Sequence, residues 1–195
     1  MERRYLQNEV RAITDGGVSY IEGTAIVFNS QSENLGSFRE IISPSAADDV
    51  LNDANLDCRA LINHDNNLVL GRTKSGTLQL WKDDEGVKYR IQLDTSISYA
   101  NDLVKSINRG DISGSSFGFS FIWDTDDSWS RDKDGTPVRT INRIRELYDV
   151  SPVTFPAYPE TDVAVVRRSI DKLNVDNNSK SKSIERRIRL LELSK

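Results

Sequence analysis

Cysteine and histidine are nearly absent: the 195 residues contain one of each, Cys58 and His64. A single cysteine excludes an internal disulfide framework. With one histidine beside it, His/Cys zinc sites of three or four ligands are excluded too. No run approaches the roughly 18 apolar residues needed to cross a bilayer. Residues 1–8 lead into no apolar stretch of the signal-peptide kind, so the expectation is a soluble protein made in a cytoplasm. Gly-x-Gly-x-x-Gly and Walker loops are missing, as is the Asp-x-Asp-x-Asp-Gly calcium loop, so nucleotide chemistry has no foothold. Carboxylate-only magnesium or calcium sites stay open. Excess basic charge is lacking as well. The 26 Lys/Arg against 30 Asp/Glu leave a net charge of −4, which argues against a nucleic-acid-binding domain. Catalysis by side chains would have to run on hydroxyls, carboxylates and one imidazole.

Charge divides the chain unevenly. Residues 167–195 carry nine Lys/Arg against four Asp/Glu, whereas the remaining 166 carry 17 against 26. Three units follow from this and from the apolar pattern. Residues 1–167 form the body, 168–183 a polar linker with little to bury, and 184–195 a basic amphipathic helix or tail. In that last unit Ile184, Ile188 and Leu191 recur at helical spacing behind Ser183. About a dozen residues is marginal for an isolated helix, so it needs a partner.

The body reads as mostly strand. Residues 10–13 and 18–28 flank Asp15-Gly16-Gly17, a hairpin signal. Alternating residues 77–81 and 87–93 flank Asp83-Asp84-Glu85-Gly86. A further hairpin is expected from 116–123 and 138–150, around a polar loop at 124–137. Helices are expected at 45–51, after Pro44, and at 99–107, before Gly110. Many strands with few helices point to a mainly β fold, a closed or nearly closed β-barrel with peripheral helices.

The strand Ser115-Ser116-Phe117-Gly118-Phe119-Ser120-Phe121-Ile122-Trp123 sorts its side chains with period two. Phe117, Phe119, Phe121 and Trp123 share a face that belongs to the core. Ser116, Gly118 and Ser120 share the other, where Ser116 would project from a floor of small residues. Two readings fit: a solvated outer face, or a nucleophile with room for another chain above it. Residues 114–118 also spell the Gly-x-Ser-x-Gly elbow of α/β-hydrolases. That enzyme order needs a histidine after the serine, and none follows.

Cys58 reads as a small buried hydrophobe, too far along an extended segment to pair with His64. His64 ends the apolar segment Arg59-Ala60-Leu61-Ile62-Asn63. It is either structural or the base that a serine hydroxyl requires. Asp149 lies in the apolar run Leu147-Tyr148-Asp149-Val150, where a carboxylate needs a partner. Arg143 or Arg145 would make that partner a salt bridge, and His64 would make a Ser–His–Asp set.

Several pieces, in order, carry a resemblance. They are Gly23-Thr24-Ala25-Ile26-Val27-Phe28-Asn29, Phe38-Arg39-Glu40-Ile41-Ile42-Ser43-Pro44, and Asn63-His64-Asp65 leading to Leu70-Gly71-Arg72-Thr73. Asp94-Thr95, Gly110-Asp111-Ile112-Ser113-Gly114-Ser115-Ser116-Phe117-Gly118-Phe119, Leu147-Tyr148-Asp149-Val150-Ser151-Pro152-Val153-Thr154 and Pro156-Ala157-Tyr158-Pro159 complete the series. On these the chain resembles the tailed-phage prohead (capsid maturation) protease family, serine peptidases distantly related to herpesvirus assemblin. The resemblance implies an assemblin-like β-barrel and a catalytic order of His64, Ser116 and Asp149. Glu146 is held in reserve for the third place, since the family more often shows Glu before Val-Ser. Ser115 stands where the family often carries Met, so it is not the nucleophile. Oxyanion donors would come from backbone amides near Pro156 and Pro159 or from Arg167-Arg168.

The implied activity is a serine endopeptidase that needs no metal or organic cofactor and cuts capsid-precursor and scaffold segments, and its own tail, inside the assembling prohead in the host cytoplasm. Its partners would be those precursors and the shell, with neither nucleic acid nor membrane, and a homo-oligomer is left open. The rival reading is a non-enzymatic capsid-assembly or scaffolding factor acting through its tail.

Overall fold

The structure is a computed structural model that describes residues 1–6, 10–32, 34–35 and 37–154. The strands in the first half are β1 (Glu2–Leu6), β2 (Arg11–Asp15), β3 (Val18–Val27), β4 (Arg39–Ile42), β5 (Arg59–Ile62) and β6 (Asp65–Arg72), with helix α1 (Asp48–Leu51) before β5. There follow β7 (Leu78–Lys82), β8 (Gly86–Leu93), helix α2 (Ser98–Arg109), β9 (Gly114–Ser120), β10 (Asp127–Arg131), β11 (Pro137–Ile141) and β12 (Glu146–Val153). The fold is mainly β. The linker and tail expected at 168–183 and 184–195 lie outside the described residues.

Local chemistry explains the first two hairpins. Gly16 and Gly17 both take positive φ, 55° and 81°, and Asp15 pairs with Val18. That is the two-residue turn whose twist matches its strands. Between β7 and β8, Asp83 Oδ1 accepts from the backbone N–H groups of Glu85 and Gly86, both at 2.9 Å. A side chain at Gly86 would collide with the carbonyl of Ile26 on β3, so glycine lets the two strands approach. Helix α2 buries Ala100, Leu103 and Ile107 on one face and ends at left-handed Gly110.

Of the closed or nearly closed barrel expected, no closed barrel is found among the described residues. Among the described residues the strands form three open sheets, ordered β1-β9-β12-β5-β6, β2-β3-β8-β7 and β10-β11-β4. After β6 the chain turns through Thr73–Ser75, capped by left-handed Gly76. It then enters β7, which bonds in the second sheet and does not extend the first. The corner stacks the two sheets, with Ile21, Ala25, Tyr89 and Ile91 of the second meeting Phe117, Phe119 and Val150 of the first in one core.

The expected 116–123/138–150 hairpin is also corrected. β9 pairs with β12, and the intervening polar segment supplies β10, which pairs with β11. β10 reads Asp-Ser-Trp-Ser-Arg, too polar to show as a strand, yet its Trp129 ring stands 5.3 Å from Phe38. The chain breaks between β11 and β12 because the Asp126 carbonyl takes the N–H groups of Asn142 and Arg143. The Asp126 carboxylate meanwhile grips the Arg145 guanidinium through two 2.7 Å bonds.

Candidate active site

The strand that carries Ser116 is pinned by aromatic stacking. Phe117, Phe119, Phe121 and Trp123 form a ladder with centroids 5.1, 5.9 and 5.0 Å apart, each pair contributing roughly 0.5–1.5 kcal/mol beyond burial. Period two then turns Ser116 and Gly118 to the opposite face. Ser115, on the aromatic side, bonds the buried Tyr89 hydroxyl at 2.8 Å and faces away from His64.

Asp149 reaches the Ser116 face through an irregularity. Leu147 pairs with Phe119 and Asp149 with Gly118, so Tyr148 is one residue too many on β12. Such a bulge exchanges the faces of everything after it. With regular pairing Asp149 would stand opposite Phe117, in the aromatic core. The bulge sets it beside Gly118 instead, where a Cβ would collide with Asp149 Oδ2.

His64 arrives on a different device. β5 ends at Ile62, which pairs with Asp65, and Asn63 and His64 form the two-residue tip with φ of 52° and 59°. Sequence reading set His64 at the end of the strand, whereas it stands one turn further on, in left-handed backbone that favours Asn and tolerates His. The tip is tied to the end of β12. Asn63 N–H donates to the Pro152 carbonyl at 3.0 Å, and the Asn63 side chain exchanges bonds with Thr154 at 2.9 and 3.3 Å.

These devices bring the three side chains into line. His64 Nε2 lies 2.6 Å from Ser116 Oγ and His64 Nδ1 lies 2.5 Å from Asp149 Oδ1. Ser151 Oγ donates to the same carboxylate oxygen at 2.7 Å. Ser116 is 0% exposed, Asp149 4% and His64 8%, so the set sits in a dry setting where its hydrogen bonds are strengthened.

Neither alternative partner of Asp149 reaches it, since Arg145 pairs with Asp126 and Arg143 with Asp49. Glu146 stays apart. Its carboxylate takes the Tyr148 hydroxyl and that of Ser120, bonds that hold it below the usual carboxylate range. Burial pushes the Cys58 thiol up, and Asp149 adds to the effect, so this sulfur is a poor nucleophile. Among the described residues no three His, Cys, Asp or Glu side chains group as a metal site would need. The expected oxyanion donors at Pro156–Pro159 and Arg167-Arg168 lie outside the described residues. Sequence reading missed Asn63 and Ser151 as parts of the site. Ser151 had a signal, standing two residues after Asp149 and hence on its face.

Residues 6–176 match the family profile described as caudovirus prohead serine protease. The chain belongs to that family. It is 30% identical over 167 residues to the prohead protease of Enterobacteria phage HK97, a match covering 85% of this chain and 67% of that relative. Among solved structures it is similar to the bacteriophage T4 capsid assembly protease, with a TM-score of 0.46 and 14% identity, covering 79% of this chain and 99% of the other.

Proposed function

We propose that this member of the prohead protease family is a serine endopeptidase in which Ser116 is the nucleophile, His64 the general base and acid, and Asp149 the group that orients the imidazole. The observation that carries the reading is the single imidazole bonded at one nitrogen to a serine hydroxyl and at the other to a carboxylate. Asp149 holds the proton on Nδ1, which leaves Nε2 free to accept. Ser116 Oγ attacks the scissile carbonyl carbon while its proton passes to His64 Nε2. The C–N bond then breaks and the leaving amine takes that proton, giving an acyl-serine. Water, deprotonated by the same nitrogen, hydrolyses the ester and returns the proton to Ser116.

The substrates are capsid-precursor and scaffold segments, and the place of action is the assembling prohead within the host cell. Family membership supports both. The experiment is cleavage of the co-expressed capsid precursor by wild type, Ser116→Ala and His64→Ala. Each substitution should abolish cleavage with circular dichroism unchanged, since residues of one catalytic unit lose similar activity singly or together. Near wild-type cleavage by Ser116→Ala would remove Ser116 from the role.

A further inference from the structure

The free edge of β9 is already filled. β1 lies antiparallel along it, with Arg4 opposite Phe117 and Tyr5 opposite Ser116. The hydroxyl of Ser116 sits 2.8 Å from the Arg4 carbonyl oxygen, which competes with His64 Nε2 for its single proton. An extended chain beside the nucleophile strand, with one carbonyl at the nucleophile, is how a peptidase takes a substrate by strand addition. The family match begins at residue 6, so all of this strand but Leu6 precedes the matched part of the chain.

The side chains of β1 fit complementary partners. Arg4 turns to the aromatic face, 8% exposed, over the Phe119 ring and bonded through both Nε and Nη2 to the Glu40 carboxylate. Two residues earlier on the same face, Glu2 accepts from Arg139 Nη2 at 3.2 Å. Arg139 is wholly buried. Its guanidinium lies 4.6–5.0 Å from the rings of Trp123, Phe38 and Phe121, and its Nε donates to Glu40 at 2.7 Å. Glu40 and Arg139 form a buried charge pair that stays balanced whether or not β1 is present. It offers one carboxylate and one guanidinium to whatever strand lies there.

We propose that β1 occupies the substrate groove of this enzyme from within the chain, and that the groove accepts an extended segment with a basic residue at the attacked carbonyl and an acidic residue two positions before it. Glu40 reads the basic side chain and Arg139 the acidic one. Because Ser116 has no exposure while β1 is docked, turnover waits on β1 leaving. This rests on the serine endopeptidase reading, and the test separates the two.

Full-length wild type, Arg4→Glu and Ser116→Ala would be treated, in separate samples, with a fluorophosphonate that labels reactive serines and with a random peptide library. Arg4→Glu sets a carboxylate against Glu40 and releases β1. Labelling should rise at least about tenfold over wild type, because apparent reactivity follows the fraction of chains with an empty groove. Library products should carry Arg or Lys at the new C-terminus and Asp or Glu two residues before it. The library needs no variant, so wild type answers it should Arg4→Glu fail to fold. Equal labelling of wild type and a folded Arg4→Glu chain would overturn the occupancy, and cuts without a basic preference would overturn the groove chemistry. Absence of any labelling that Ser116→Ala removes would overturn the endopeptidase reading itself.

Discussion

Gly118 and Asp149 stand opposite each other across the β9–β12 pairing, and the carboxylate fills the space where a side chain at 118 would be. The glycine is thus a seat for the acid. Gly118→Ala should push Asp149 away from His64 and lower kcat about 100-fold, the scale set by misplacements near 1 Å. Peptide kinetics beside a thermal melt would check it. A variant with normal kcat would mean that the carboxylate has another position from which to work.

The two acids should separate cleanly. Asp149→Asn leaves the geometry but favours the wrong imidazole tautomer, so kcat should fall by roughly 10⁴. Glu146→Gln removes only contacts to Tyr148 and Ser120, and turnover should stay within about threefold, as for surface changes. The reverse ranking would transfer the third role to Glu146.

Asn63 should affect rate beyond its effect on stability. Asn63→Gly keeps the left-handed turn but loses the two side-chain bonds to Thr154, whereas Asn63→Ala loses the bonds and strains the backbone. The alanine variant should unfold about 1–3 kcal/mol more easily, and the glycine variant less so. Both should lower kcat more than they raise KM, since the tie positions His64 and touches no substrate. Urea melts and steady-state kinetics measure the two effects separately.

Acid should loosen the Glu40 cluster. Burial pushes the Glu40 carboxyl up, but the charges of Arg4 and Arg139 overcome this and hold it below the usual carboxylate range. A group with a lowered folded pKa stabilises above its unfolded value, near about 4.3, and that contribution is lost as pH falls through the folded value. Wild type should therefore lose stability in the acid range below that point. Glu40→Gln should flatten this part of the curve and cost about 3–5 kcal/mol at neutral pH, since it leaves Arg4 and Arg139 to share the single carboxylate of Glu2. Urea midpoints across the acid range would show whether the slope goes with Glu40.

Much of the site was legible in the sequence because its parts obey short-range rules. Alternation around Phe117 and Phe119 assigns Ser116 its face, the scarcity of imidazole singles out His64, and a carboxylate in an apolar run marks Asp149. What sequence hid was pairing. No pattern announces that Tyr148 is an extra residue, and without that bulge Asp149 belongs to the core. β1 was passed over for a similar reason. Glu2 and Arg4 look like solvated charges until Arg139 and Glu40, far away in the chain, give them partners. Nor did any pattern announce the corner at Thr73–Ser75, where the chain moves to a new sheet.

Distance along the chain also bears on when the proposed triad can assemble. His64 must find a carboxylate 85 residues later. Both the tip that holds His64 and the strand that holds Asp149 depend on β12, the last strand described. Non-local pairings of this kind form late in folding. Until β12 pairs, Ser116 and His64 have no Asp149 beside them to complete the proposed triad. In the proposed mechanism hydrolysis waits first for residues 146–153 to complete the sheet, and then for β1 to leave Ser116.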